Sequence, residues 1–221
     1  MLVSALSHPK GIRHEAEHVN ALFRAGLDQF HLRKPGQEAN RWTRLLEEIR
    51  PEYRPRVVVH GHYGTRSAYG LHGIHFSTGW LREGLLTAGR RRWTLLRQRP
   101  RWVSATFHSL DGLADAPPSI RQLWLSPVFQ TISERSVGTG FDPRELEEAL
   151  PALERPVYAL GGLNAETAVE ARELGFRGVV LQGMLWRAKD PVRALDDVLD
   201  ALRESRAAEP TLRSVSRSRG A

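Results

Sequence analysis

Short apolar runs alternate with amphipathic stretches from one end of the chain to the other, and this alternation restricts the fold more than any other feature. Leu2–Leu6, Gln29–Leu32, Arg56–His60, Gly73–Phe76, Trp102–Phe107, Gln122–Phe129, Pro156–Leu160 and Gly178–Leu181 read as strands. Val57-Val58-Val59 has the continuous apolar character of a strand buried on both faces. Between the strands lie helical patterns. Glu15–Ala25 spaces Ala16, Val19, Leu22 and Phe23 by helical periods, and Glu38–Ile49 puts Trp42, Leu45, Leu46 and Ile49 on one face. Asp142, Pro143 and Glu145 form a helix start that runs to Leu150. Asn164 caps a helix that Gly175 stops, and Pro191–Leu202 is the last helix. Thr65–Tyr69 and Leu110–Ala114 are short helical fragments, and Gly79–Arg92 is ambiguous. Strand-then-helix units predict a parallel sheet, and eight of them close it into a single-domain α/β fold, a (β/α)8 TIM barrel over residues 1–204. A doubly wound open sheet is the alternative, but no GxGxxG follows the first strand.

Composition removes several function classes. No apolar run is long enough to span a bilayer, so no membrane association is expected. The absence of cysteine excludes disulfides, thiolate nucleophiles and Cys-ligated metals. With no signal-like start, a cytoplasmic location is expected. The net charge of +7 is concentrated in two places. Arg82–Arg101 holds seven arginines and one glutamate, and the stretch from Arg206 onward holds four and one. The first reads as a solvated face. The second belongs to a basic tail, residues 205–221, expected to be disordered. No nucleic-acid partner is expected.

A barrel of this kind carries its chemistry in the loops after the strands. His31, Arg33 and Lys34 follow the second strand, and a cationic pair there suits a phosphate or pyrophosphate. His60 and His62 follow the third. They share a side on extended backbone, but no nearby acid completes a metal set, and the partners of His72 and His75 cannot be placed. No metal ligand is assigned. Thr106 and His108 end the fifth strand; an imidazole with an ordinary pKa of about 6.5 can both take and give a proton near neutrality. Thr131 and Ser133, in the loop after the sixth, can hydrogen-bond a ligand's anionic edge. The seventh strand ends in Gly161-Gly162 and the eighth in Gln182-Gly183, where backbone N–H groups commonly cup a phosphate.

Read together, Phe30–Pro35 (FHLRKP), Gly73–Ser77 (GIHFS), Thr106–Leu110 (TFHSL), Ser126–Ser133 (SPVFQTIS), Pro156–Leu163 (PVYALGGL) and Glu173–Trp186 (ELGFRGVVLQGMLW) resemble the thiamine phosphate synthase/TenI family. The resemblance covers roughly residues 1–200 and is most specific in the final glycine segment. It implies a (β/α)8 barrel. Synthase members join hydroxymethylpyrimidine pyrophosphate to thiazole phosphate with Mg2+. TenI-type members aromatise thiazole phosphate by a proton shift without metal. His60-Gly61 stands where a synthase has Asn-Asp, and Phe76–Trp80 lacks the second metal-binding Asp. The QLREK pattern becomes His31–Pro35, and the Thr-x-Thr-Lys pattern becomes Thr131–Glu134, with Arg135 the nearest cation. His108, Gly161 and Gly162 match. The thiazole-phosphate half of the site is therefore expected to be intact, and the pyrophosphate–Mg2+ half eroded. The expected ligand is a small phosphorylated heterocycle: thiazole phosphate and, in a synthase, the pyrimidine pyrophosphate. A TenI-like tautomerase using His108, with no cofactor, is the leading reading. A synthase with a modified metal site, where Mg2+ would enter, and a non-catalytic ligand-binding paralogue are the alternatives.

Overall fold

In the computed structural model, which describes residues 1–81, 85–129 and 141–208, eight parallel strands pair in chain order. They are β1 (Leu2–Leu6), β2 (Gln29–Leu32), β3 (Val57–Val59), β4 (Gly73–Phe76), β5 (Trp102–Phe107), β6 (Gln122–Leu125), β7 (Val157–Leu160) and β8 (Gly178–Leu181). β8 pairs back onto β1 and closes the barrel. Parallel neighbours need crossovers. The helices that provide them are α1 (Glu15–Ala25), α2 (Ala39–Glu48), α3 (Gly64–Ala68), α4 (Thr78–Leu81), α5 (Leu85–Gln98), α6 (Leu110–Ala114), α7 (Pro143–Ala152) and α8 (Ala165–Glu173); α9 (Gly183–Arg187) and α10 (Pro191–Ala208) follow the last strand.

The two-residue period of a strand sorts side chains into two cores. Alternate residues such as Val57 and Val59, or Leu123 and Leu125, join Val19, Leu22, Leu46, Leu195 and Val198 of the helices in the layer between sheet and helices. The intervening positions fill the lumen, where Leu6, Trp124, Tyr158 and Val180 pack together. Gly178 makes this packing fit, because a Cβ on it would lie 2.4 Å from the Tyr158 ring. The rest of the lumen is unusually polar for a barrel filled chiefly by branched apolar residues: Ser4, Gln29, His31, His75, Ser104 and Gln122 are all buried.

Several elements depart from the sequence expectation. β6 stops at Leu125 instead of running to Phe129. The Ser126 amide still bonds the Phe107 carbonyl, but Pro127 has no N–H, so the regular register breaks there, and the Val128 and Phe129 amides bond the Leu160 and Gly161 carbonyls one residue out of step. The ambiguous stretch resolves into α4 and α5. Leu86, Trp93 and Leu96 on α5 are 85%, 64% and 60% exposed while Leu95 packs on the core, so the apolar residues of this helix do not mark its core-facing side. A 3-10 turn at Pro51–Arg56 was not foreseen. α10 continues to Ala208, beyond Leu202 and into the segment expected to be disordered. There Arg172 donates to the Ser205 carbonyl and ties the added turn to α8. Residues 209–221 of the expected tail lie outside the described residues. No described helix is long and apolar enough to cross a membrane.

Candidate functional site

A cavity of about 720 Å³ opens at the C-terminal ends of the strands. One side of it is built from backbone. After β7 the chain turns through Gly161 and Gly162, at φ 100° and 67°, in the left-handed region where a side chain is strained. Asn164 then caps α8: its side chain accepts from the Thr167 amide at 2.9 Å, and Thr167 Oγ1 accepts from the Asn164 amide at 2.9 Å. Gly161, Gly162, Leu163 and Asn164 all line the cavity. After β8, Gln182, Gly183 and Arg187 line it as well. The Arg187 guanidinium folds over the turn, since a Cβ on Gly183 would lie 2.9 Å from its Nη1. Gln182 donates its side-chain amide to the Ser7 carbonyl at 3.3 Å, which holds the β8–β1 seam, and its own carbonyl accepts from the Trp186 amide at 3.2 Å. Amide groups at a helix start beside a guanidinium suit a phosphate monoester.

The other side is built from side chains. His108, exposed after β5, lines the cavity. Its Nδ1 lies 2.6 Å from the Ser126 carbonyl. A carbonyl can only accept, so Nδ1 carries the hydrogen and Nε2 of the neutral ring keeps the lone pair. Thr106, one turn of the pleat below, also lines the cavity, and its Oγ1 lies 2.9 Å from His75 Nε2. Arg33 reaches the cavity from β2.

Below these lie three imidazoles on adjacent strands. His31 Nδ1 is 3.1 Å from His60 Nε2, and the His60 and His75 rings stack at 3.9 Å with planes 11° apart. Trp124 packs on all three, at centroid distances of 4.4, 5.5 and 4.3 Å. His75 Nδ1 also contacts Ser104 Oγ at 2.8 Å. Burial, then the charges of its imidazole neighbours, holds His31 well below the ordinary imidazole range. Burial, the two other imidazoles of the cluster and Arg33 do the same to His60. His75 is pushed down to about 3, by burial first and by Arg33 second. All three rings are therefore neutral near pH 7.

The structure brings Arg33, His60, Thr106, His108, Gly161, Gly162, Gln182 and Gly183 to one cavity. Two expected ligand contacts do not reach it. His31 is fully buried under His60 and Trp124. Lys34 is 4% exposed, and its ammonium bonds both Glu15 carboxylate oxygens at 2.6 and 2.5 Å and the His8 carbonyl at 2.6 Å. Alternation sends Lys34 away from the lumen that takes Arg33. Its charge is answered inside the protein. The His60/His62 pair also separates. His62 adopts φ 42°, packs its ring on Trp42 at 5.1 Å and bonds the Gln37 carbonyl at 3.1 Å. Thr131, Ser133, Glu134 and Arg135 lie outside the described residues. Sequence reading missed Arg187, Trp124, Ser126 and the placement of His75. Arg187 had a signal, since it stands four residues after the glycine that it covers.

The Mg2+ implied for synthase members needs hard oxygen donors, usually carboxylates. Among the described residues lining the cavity there is no Asp or Glu; its polar side chains are imidazoles, hydroxyls, two amides and two guanidinium groups. These donors do not fit Mg2+.

Comparisons with known proteins bear on the same residues. A family model described as thiamine monophosphate synthase matches residues 3–185. A thiamine-phosphate synthase from Herpetosiphon aurantiacus is 22% identical over 191 residues, covering 83% of this chain and 87% of the relative. One from Methanosarcina barkeri is 29% identical over 84 residues, 38% of each chain. The crystal structure of a thiamine phosphate pyrophosphorylase from Bacteroides thetaiotaomicron is similar with a TM-score of 0.70 and 25% identity, over 92% of this chain and 98% of that one. A Pyrococcus furiosus thiamine phosphate pyrophosphorylase shares the fold with a TM-score of 0.75 at 16% identity, over 92% and 96% of the two chains.

Proposed function

The chain belongs to the thiamine monophosphate synthase family, and within it we propose a thiazole phosphate tautomerase that works by proton transfer through His108. The observation that carries this reading is the His108–Ser126 contact at the cavity wall. It leaves Nε2 with the lone pair of a base, on a ring that lines the cavity and cannot rotate freely. The ligand's phosphate sits in the Gly161–Gly162 and Gln182–Gly183 turns, with Arg187 as counter-charge. Nε2 removes a proton from one ring carbon, and the electron pair left behind enters the ring's conjugated system. The imidazolium, held by the Ser126 carbonyl, then returns a proton to the second position. No net oxidation occurs, and the ring leaves aromatic. Holding the ligand by its phosphate makes both proton transfers local.

The test is conversion of the non-aromatic thiazole phosphate tautomer by wild type and by His108→Gln. Glutamine keeps much of the shape but cannot cycle a proton. The variant is expected to bind the ligand within about twofold and to turn it over roughly 10²–10⁴-fold more slowly. Equal measurable rates would remove His108 from the chemistry, and no conversion by the wild type would favour the non-catalytic reading. The synthase reading rests on the relatives' names; the lack of carboxylates among the described residues that line the cavity weighs against it.

A further inference from the structure

We propose that His31, His60 and His75 form a binding site for a zinc-class divalent ion at the floor of the cavity, with its fourth position open to an anionic oxygen donor. One ligand nitrogen from each of the three rings falls within 4.8 Å of the other two. A tetrahedral Zn2+ with Zn–N bonds of about 2.0–2.1 Å spaces its nitrogens by about 3.3–3.4 Å. The His31 Nδ1–His60 Nε2 separation of 3.1 Å is already close to that edge. His75 completes the face by turning its ring out of the stack on His60, exchanging Thr106 at Nε2 for the ion. Its Nδ1 stays on Ser104 Oγ, now as the donor that fixes ring and tautomer.

A further observation points to a ligand here. His60 and His75 also line the cavity, so an ion held by the cluster would meet whatever the cavity binds. His31 enters the set through Nδ1, the nitrogen that faces His60. Three imidazoles and one open position form a donor set suited to zinc and its neighbours in the first transition row, and unsuited to Mg2+ or Ca2+. The charge balance identifies the fourth ligand. The donors are neutral, Arg33 stands nearby, and no carboxylate lines the cavity among the described residues. A dication here therefore calls for an anionic oxygen, either hydroxide or an oxygen of the bound ligand.

The experiment uses the full chain without substrate, so its outcome is separate from that of the tautomerase assay. Purified protein is stripped with chelator and titrated with Zn2+, then with Co2+ as a spectroscopic probe. One equivalent of Zn2+ should bind, and Co2+ should give the intense visible bands of a four-coordinate site. His60→Asn and His75→Asn should each weaken Zn2+ binding at least about 100-fold, and Ser104→Ala by roughly 10–100-fold. Circular dichroism checks each fold. If a histidine variant fails to fold, X-ray absorption at the zinc edge of the wild type decides: a shell of three imidazole nitrogens at about 2.0–2.1 Å supports the site. Absence of stoichiometric binding by the wild type overturns it. So does binding that survives in the His60→Asn/His75→Asn double variant, or an edge spectrum without imidazole ligands.

Discussion

Around β7 and β8 the mouth of the barrel is made of backbone; around β2 to β5 it is made of side chains. The first region presents Gly161, Gly162 and Gly183 beside a capped helix. The second presents Arg33, two cavity-facing imidazoles over a third, and His108. A backbone cup recognises what every phosphate ester shares and is indifferent to the rest of the ligand. A side-chain wall can be rewritten strand by strand without disturbing the cup. On the proposed reading the chain keeps a backbone phosphate cup, while the other wall of its cavity presents imidazoles and, among the described residues, no carboxylate.

The largest expected effect tests which region Lys34 belongs to. Lys34→Met leaves the Glu15 carboxylate buried without its partner, and breaking a buried pair costs about 3–5 kcal/mol. Denaturant unfolding should show that loss, while affinity for thiazole phosphate stays within about threefold. A large fall in affinity with stability unchanged would return Lys34 to the cavity. Next comes Gly162→Val. A branched side chain at φ 67° is strained and crowds the cup. Ligand affinity should fall about 100-fold, measured by calorimetry, with the circular dichroism spectrum retained. Unchanged affinity would mean that the backbone cup does not hold the phosphate. Arg187→Met should cost less, about tenfold in affinity or roughly 1.5 kcal/mol, because it removes one exposed charge-assisted contact. The smallest effect is expected far from both regions. Arg90, Arg91 and Arg92 changed together to Gln should leave ligand binding unaltered and abolish no tight, salt-sensitive binding to RNA or DNA. If such binding exists and disappears in this variant, α5 is a nucleic-acid surface.

The same contrast governs what could be read from the sequence. The place of the glycine turns on the cavity was legible because each is contiguous and directly follows an apolar run. His108 was legible for the same reason. The imidazole cluster was not, because it depends on the register of three strands. His31 pairs in line with Val58, and Val59 with Ile74, which brings His60 beside His75. No spacing within one segment shows this. The visible pair, His60 and His62, pointed the wrong way because the strand ends before His62 and the chain turns out to Trp42. Lys34 was misread for a simpler reason. The two-residue period already sent it away from Arg33, but its partner Glu15 belongs to a helix nineteen residues earlier. β6 was drawn too long because the apolar run continues through Val128 and Phe129, while Pro127 has already broken the regular register and the later amides bond the end of β7 out of step.

The central claim is that this chain keeps the thiazole-phosphate half of its site and not the half that takes a pyrophosphate with Mg2+. One assay tests it directly. Wild-type protein is incubated with the non-aromatic thiazole phosphate tautomer, hydroxymethylpyrimidine pyrophosphate and Mg2+, and the products are separated and identified by mass and ultraviolet absorbance. The account predicts aromatic thiazole phosphate at a rate unaffected by omitting Mg2+ and the pyrimidine, and no thiamine phosphate. Mg2+-dependent formation of thiamine phosphate would contradict it.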